Sequence, residues 1–204
     1  MDNKNLTTAM SQSLLDDNIN KISSDIINDL LSDGIQSLVN IKLPIIGSFI
    51  HISTSISDTF FMKKCLEFLK GINDIPKEKR YELIGELSRR NQIDAGEMIL
   101  SLLDKLDHPQ KIKLICKLFK AKAYDDITTE DLIRLSFMID KCPYIDLCYL
   151  KEYIQPNYIP GCTETLLAAG FIEKSTFDFG DAKGNSNDKY SLTSIGELLL
   201  KYIE

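Results

Sequence analysis

The stretch that decides the fold of this chain is residues 160–204, PGCTETLLAAGFIEKSTFDFGDAKGNSNDKYSLTSIGELLLKYIE. It divides into a helix, two strands and a helix. Residues 163–169 predict a short helix of good helix formers, ended by Gly170. Residues 171–174 begin a strand and residues 189–192 return it. The intervening GDAKGNSND at 180–188 is glycine-rich and polar, as a hairpin tip requires. Thr193 or Ser194 then caps a last helix anchored by Leu198, Leu199 and Tyr202, with Glu197 three residues beyond Ser194 in capping-box position. Residues 162–170 contain no Lys or Arg, and their one charge is Glu164.

Upstream, the periodicity is helical. Thr128-Thr129-Glu130-Asp131 fits a capping-box start for a helix with Leu132, Leu135 and Ile139 inward. Residues 110–123 predict a helix burying Ile112, Ile115, Cys116 and Phe119, behind the break His108-Pro109. Residues 95–106 predict another, presenting Met98, Ile99, Leu102, Leu103 and Leu106. A helix after Pro76 is expected to turn Tyr81, Ile84 and Leu87 inward. Before it, a helix capped by Asp58 or Thr59 carries Phe61, Cys65, Phe68 and Leu69 and stops at Gly71. Ile22, Ile26, Ile27, Leu30, Leu31 and Leu38 keep helical spacing, with Gly34 as a weak point. Short connections between these helices predict antiparallel neighbours in a bundle. Residues 146–154 are expected to form one short helix.

The fold class read from the sequence is therefore mainly α, a helical bundle followed by a small α+β module with one β-hairpin. The divisions are residues 1–20, a polar, mobile or loosely docked N-terminus, residues 21–127, the bundle, and residues 128–204, the module. Within the first part of the bundle, residues 34–57 contain one charge, Lys42. Pro44 can open a helix there, with Ile45, Phe49, Ile52 and Ile56 along one face. A membrane span needs about 20 mostly apolar residues, and Gly47, Ser48, His51, Ser53, Thr54 and Ser55 interrupt this run. The stretch is read as a buried central helix, protected in the fold or by a partner, which makes Phe49 and Ile52 candidate interaction residues.

Residues 128–204 resemble winged-helix domains. The resemblance rests on Leu166-Leu167-Ala168-Ala169-Gly170-Phe171-Ile172, a hairpin, and Tyr190-Ser191-Leu192-Thr193-Ser194-Ile195-Gly196, and it covers over a third of the chain. It implies a helix–hairpin–helix module. In that family's DNA-binding mode, Thr163, Glu164 and Thr165 would face the groove, and Lys174, Lys183 and Lys189 on the wing would meet phosphate.

Charge argues for a different use. Residues 1–60 carry −4, residues 61–124 carry +5 and residues 125–204 carry −7, within a net −6. Duplex binders draw much of their affinity from neutralising phosphates, and the acidic last segment has seven basic residues against 14 acids. Glu164, Glu173 and Asp178 are instead placed to pair with Lys or Arg of a protein partner. In the basic middle, Lys113, Lys117 and Lys120 recur at i, i+4 and i+7 as a stripe beside the apolar face of their helix. No aromatic residues interleave with it, so it is no stacking platform for single strands.

Chemistry is otherwise sparse. His51 and His108 sit in no metal-binding motif. Asp16, Asn18 and Asn20 imitate a calcium loop, but Lys21 stands where the turn glycine belongs and Ile27 where the bidentate Glu belongs. No phosphate loop, dinucleotide fingerprint or nucleophile elbow occurs. No catalytic residue, metal or cofactor is assigned. Five scattered cysteines without a C-x-x-C pair point to reduced thiols, and the polar MDNKN start to a cytoplasmic protein. The functional expectation is a non-enzymatic, bacterial-type adaptor or regulatory subunit acting through a protein partner or self-association. The alternatives are a DNA-binding winged-helix regulator, then a membrane-associated effector using residues 45–56.

Overall fold

The computed structural model describes residues 3–34, 38, 41–50, 55–175 and 188–203. Among them are eleven α-helices and one two-stranded antiparallel hairpin near the C-terminal end, so the protein is mainly α. The chain divides into two compact units, Met1–Leu132 and Ile133–Glu204. The division falls a few residues later than the sequence boundary at 127/128, inside a helix.

Helix α1 (Asn3–Leu14) opens the first unit. Leu6, Ala9, Met10, Ser13 and Leu14 are buried, at the spacing of one helix face. The loosely docked start expected for residues 1–20 is corrected here. Small and polar residues, Ala9 and Ser13, complete a stripe that hydropathy alone does not register. Ser13 is buried for a reason. Its hydroxyl accepts the Ile45 N–H at 2.9 Å, an amide of the first turn of α3 (Pro44–Ile50) that has no partner within its own helix. Ser11 Oγ donates to Asp94 Oδ1 at 2.6 Å and accepts the Gly96 N–H at 3.1 Å, tying α1 to the start of α6 (Ala95–Lys105). Asp16, the first member of the calcium-like triplet, caps a 3-10 turn by accepting the Asn18 N–H at 2.8 Å.

Helix α2 (Ser24–Asp33) starts at the Ser23 cap and ends at Gly34, whose φ of +67° suits glycine. In α3, Ile45, Ile46 and Phe49 are buried. The expected face through Ile56 is corrected. Ser55 forms a capping box with Asp58 and begins α4 (Ile56–Gly71), so the cap is Ser55 and not Asp58 or Thr59. Ile56 is consequently 78% exposed, whereas Phe49 is 2% exposed and meets Phe61 edge-on at 5.9 Å. Ile52 lies outside the described residues.

Helix α4 buries Met62, Cys65, Leu66, Phe68 and Leu69. Phe68 packs edge to face against Phe119 of α7 (Pro109–Ala123), ring centroids 5.0 Å apart. Helix α5 (Lys77–Asn91) is rotated from its expected setting. Tyr81 is exposed, while Arg80, Leu83 and Leu87 are buried. The aliphatic stem of Arg80 takes the place predicted for the tyrosine. Among the described residues its Nε and Nη1 have no hydrogen-bond partner; burial pulls this guanidinium below its usual pKa, though an arginine remains charged at neutral pH. Beside it, Lys79 Nζ donates to the Ala123 carbonyl at 2.9 Å and lies over the Tyr124 ring, closing the C-terminal end of α7.

Two lysines of α7 are buried. Lys111 Nζ pairs with Asp107 at 2.8 Å, and its hydrogen bond holds that carboxyl below its usual pKa. Lys122 Nζ meets Asp125 at 2.8 Å and Glu86 at 3.2 Å, while Thr129 Oγ1 donates to Glu86 at 2.7 Å. The hydrogen bond from Thr129, then that from Lys122, lowers the Glu86 pKa. Burial alone would lower Lys122, but its bonds to Asp125 and Glu86 outweigh it and hold the amine above its usual value.

Helix α8 (Thr129–Lys141) has the expected box, with the Asp131 N–H donating to Thr128 Oγ1 and the Thr128 N–H to Asp131 Oδ2. In the second unit, the helix expected over 146–154 is two pieces, α9 (Tyr144–Leu147) and a 3-10 turn Leu150–Tyr153. Leu147, Leu150 and Tyr153 are all buried, a three-residue spacing that tighter winding serves. Helix α10 (Cys162–Ala169) ends at Gly170 with φ +83°. Strands β1 (Ile172–Lys174) and β2 (Tyr190–Leu192) pair Ile172 with Leu192 and Lys174 with Tyr190. Asn157 adds a third segment through two backbone bonds to Tyr190, each 2.9 Å. Thr193 caps α11 (Ser194–Ile203) by accepting the Gly196 N–H at 3.1 Å. The third helical residue is therefore Gly196 and not Glu197. A Cβ at Gly196 would run into the Phe171 carbonyl oxygen.

Two predictions follow from this packing. Phe49→Ala should cost about 3–5 kcal/mol in denaturant unfolding, whereas Ile56→Ala should stay within about 0.5 kcal/mol. A continuous buried face from 45 to 56 would make both large. For Glu86, the folded-state pKa is depressed, so its contribution is full above the ordinary carboxylate range and is lost as pH falls through the lower folded value. Glu86→Gln should lower stability at neutral pH and flatten its decline in acid, read as melting temperature against pH.

Candidate functional site

Two surfaces stand out, one in each unit. In the second, the residues expected to face DNA do not do so together. Thr163 is 1% exposed. Its Oγ1 lies 2.6 Å from the Tyr153 hydroxyl and accepts the Ile159 N–H at 2.8 Å. Thr165 Oγ1 donates to Asp146 Oδ2 at 2.6 Å, which ties α10 to α9. Both hydroxyls are consumed inside the unit, and Thr163 is corrected from a groove-facing residue to a core one. Spacing alone could not reveal this, because the partners Tyr153 and Asp146 lie on other elements.

What α10 turns outward is Glu164, Leu167 and Ala168. Glu164 accepts the Tyr158 hydroxyl at 2.8 Å. That bond lowers the Glu164 pKa and raises that of Tyr158. On the hairpin, Lys174 pairs with Asp188 at 2.6 Å, so its charge is spent locally, while Glu173 and Lys189 are exposed. Asp178 and Lys183 lie outside the described residues. Burial raises the pKa of the Tyr153 phenol and of the Cys162 thiol. Other large apolar side chains exposed in this unit are Phe137, Ile145, Tyr149, Ile154 and Tyr158.

In the first unit, a cleft of about 420 Å³ opens between α2, α4 and α7. Ile27, Pro109, Ile112 and Cys116 line it, together with Ser24, Asn28 and Gly71. A Cβ at Gly71 would strike Cys116 Sγ, so glycine there lets the two helices approach. The sequence-read stripe Lys113, Lys117 and Lys120 forms one rim, and Lys70 another. Lys70 Nζ donates to Ser24 Oγ, and Lys120 pairs with Asp74 at 2.9 Å. The single acid of the lining, Glu67, already faces Lys63 at 3.8 Å. Sequence reasoning found the stripe and the Ile112–Cys116 face of the same helix, and missed Lys70 and Ile27, which belong to helices 40 or more residues away.

Phe49, proposed from sequence as an interaction residue, is placed in the core by its burial. Cys142 and Cys162 are buried and Cys148 is exposed. Among the described residues no three His, Cys, Asp or Glu gather as a metal site, and no helix is long and apolar enough to cross a membrane. No protein-family model, curated protein or solved structure matches the chain.

Removing the Thr163 hydroxyl tests the role assigned to it. Thr163→Val should strand the Tyr153 hydroxyl and the Ile159 amide and cost about 1–3 kcal/mol. Adding Tyr153→Phe should cost less than the sum of the two single changes, because one partner is already lost. Strict additivity in chemical denaturation would show that the two hydroxyls do not act together.

Proposed function

We propose that the protein is a non-enzymatic adaptor or regulatory subunit whose C-terminal unit, a winged-helix-like module, contacts another protein. The observation that carries this reading is the outward face of α10, where Glu164, Leu167 and Ala168 are exposed while the two threonine hydroxyls are engaged inside. A surface with one carboxylate and one leucine has nothing to offer phosphate, which asks for cations or free donors. It suits a partner that covers Leu167 with apolar side chains and meets Glu164 with Lys or Arg, the usual pairing of an apolar centre with a charged rim. The −7 charge of residues 125–204 supports the same reading, since it repels a duplex at long range.

The DNA-regulator alternative loses two of its three groove-facing candidates to internal hydrogen bonds. The membrane-effector alternative rested on residues 45–56, whose described residues are those of the short α3, with Phe49 buried, and Ser55 and Ile56 at the start of α4.

The test uses the full chain. At roughly 150 mM salt, where screening is physiological, fluorescence anisotropy should detect no binding to duplex DNA. Affinity capture from the native host should yield a partner whose recovery falls with Leu167→Asp or Glu164→Lys, substitutions at exposed positions that leave the melting temperature within a few degrees. Submicromolar duplex binding, or capture insensitive to both changes, overturns the proposal.

A further inference from the structure

We infer that the cleft between α2, α4 and α7 binds a small amphipathic anion, an acyl chain ending in a carboxylate or phosphate, with its tail on Ile27, Ile112 and Cys116 and its head among the lysines. This goes beyond the adaptor reading, does not depend on it, and concerns the other unit of the chain. Three independent observations converge. The volume, about 420 Å³, lies in the range of small-molecule sites, about 300–1,000 Å³. The floor is apolar: Ile27, Ile112 and Cys116 are buried, and the thiol at its base is held protonated by that burial, with a pKa pushed up to about 12. Cys116 therefore behaves as an apolar wall and not as a nucleophile.

The rim supplies the charge. Four ammonium groups, Lys70, Lys113, Lys117 and Lys120, line the cleft against the one carboxylate of Glu67. Lys120 is compensated by Asp74 and Glu67 by Lys63. Lys113 is exposed and, among the described residues, faces no carboxylate. Lys70 reaches across to Ser24, so a head group can exchange that neutral hydroxyl for its own charge, a stronger acceptor for an ammonium. A neutral apolar ligand would leave the Lys113 charge unmatched, and a cationic one would be repelled by the four ammonium groups of the lining. Anionic head and apolar tail are both required.

The probe is decanoate, titrated into the full chain by calorimetry and followed by melting temperature, below its micelle-forming concentration. Saturable binding with a rise in melting temperature is expected, weakening as salt is added. The double variant Lys113→Glu/Lys117→Glu should weaken it about tenfold or more, a change that two rim charges can produce. Asn28→Trp, at an exposed lining position, should block the tail without altering charge. Both variants are first checked for unchanged helicity. Decanol or decyltrimethylammonium binding as tightly as decanoate overturns the inference, as does decanoate binding that ignores both variants, or none at all. Co-sedimentation with phosphatidylglycerol vesicles distinguishes the source of the anion. Lysine-dependent vesicle binding that decanoate competes away assigns the same chemistry to a lipid. Vesicle or acidic-peptide binding without decanoate binding overturns it.

Discussion

The edge-to-face contact of Phe68 with Phe119, 5.0 Å between ring centroids, is the constraint on which the first unit depends. It sets α4 against α7 along their buried faces, and the other helices of that unit are arranged by what these two leave open. Cys116 Sγ lies 3.6 Å from the Phe68 carbonyl, and Gly71 removes the side chain that would otherwise separate the helices one turn on. An aromatic pair of this geometry contributes about 0.5–1.5 kcal/mol beyond the area it buries. Its larger effect is positional. Because α4 also packs on α2, α3 and α6, a shift at Phe68 would be transmitted to every one of them, in an interior as dense as a molecular crystal. The cleft exists because α2 meets α4 while α7 runs past it, leaving a space with an apolar bottom.

Much of the helical order was legible, and the failures have physical causes. Helices with one dense apolar stripe, such as α6 and α7, declared their buried faces directly: Met98, Ile99, Leu102 and Leu103 in one, Ile112, Ile115, Cys116 and Phe119 in the other. Helix α5 was set at the wrong angle because a long arginine stem can cover apolar surface that a tyrosine was expected to cover. Helix α1 was overlooked because its buried stripe includes Ser13, whose burial is explained only by an amide 32 residues away. The limit at Ile56 was written in the sequence as Ser55-x-x-Asp58, a capping box that outweighs apolar periodicity. Of the candidate sites, the lysine stripe was readable because it lies on one helix, and the cleft was not, because three helices make it. Thr163 and Thr165 have the same difficulty, since the tyrosine and aspartate that engage them come from another stretch of chain.

Charge is handled differently in the two units. The first buries three cationic side chains, Arg80, Lys111 and Lys122. Lys122 meets the carboxylates of Glu86 and Asp125 and Lys111 that of Asp107, while Arg80 has two donors without a partner among the described residues. A buried ion gains little unless its partners are well placed, so these three sites bear very different energetic burdens within one bundle. In the second unit the buried polar side chains among the described residues carry neutral hydroxyls, Ser136 and Thr163, the latter in a short hydrogen bond with the Tyr153 hydroxyl. Neutral networks of this kind avoid the cost of ion desolvation and resist changes in salt.

The cysteines have a practical consequence. Cys65, Cys116, Cys142 and Cys162 are buried, and Cys148 alone is exposed. Burial pushes both Cys65 and Cys116 up to about 12, which leaves almost no thiolate to react at neutral pH. An alkylating dye applied to the folded protein should therefore attach at Cys148, between α9 and the 3-10 turn. The native sequence thus carries a single-site handle for fluorescence or spin labelling, a few residues from the Asp146 that holds Thr165, with no engineered cysteine required.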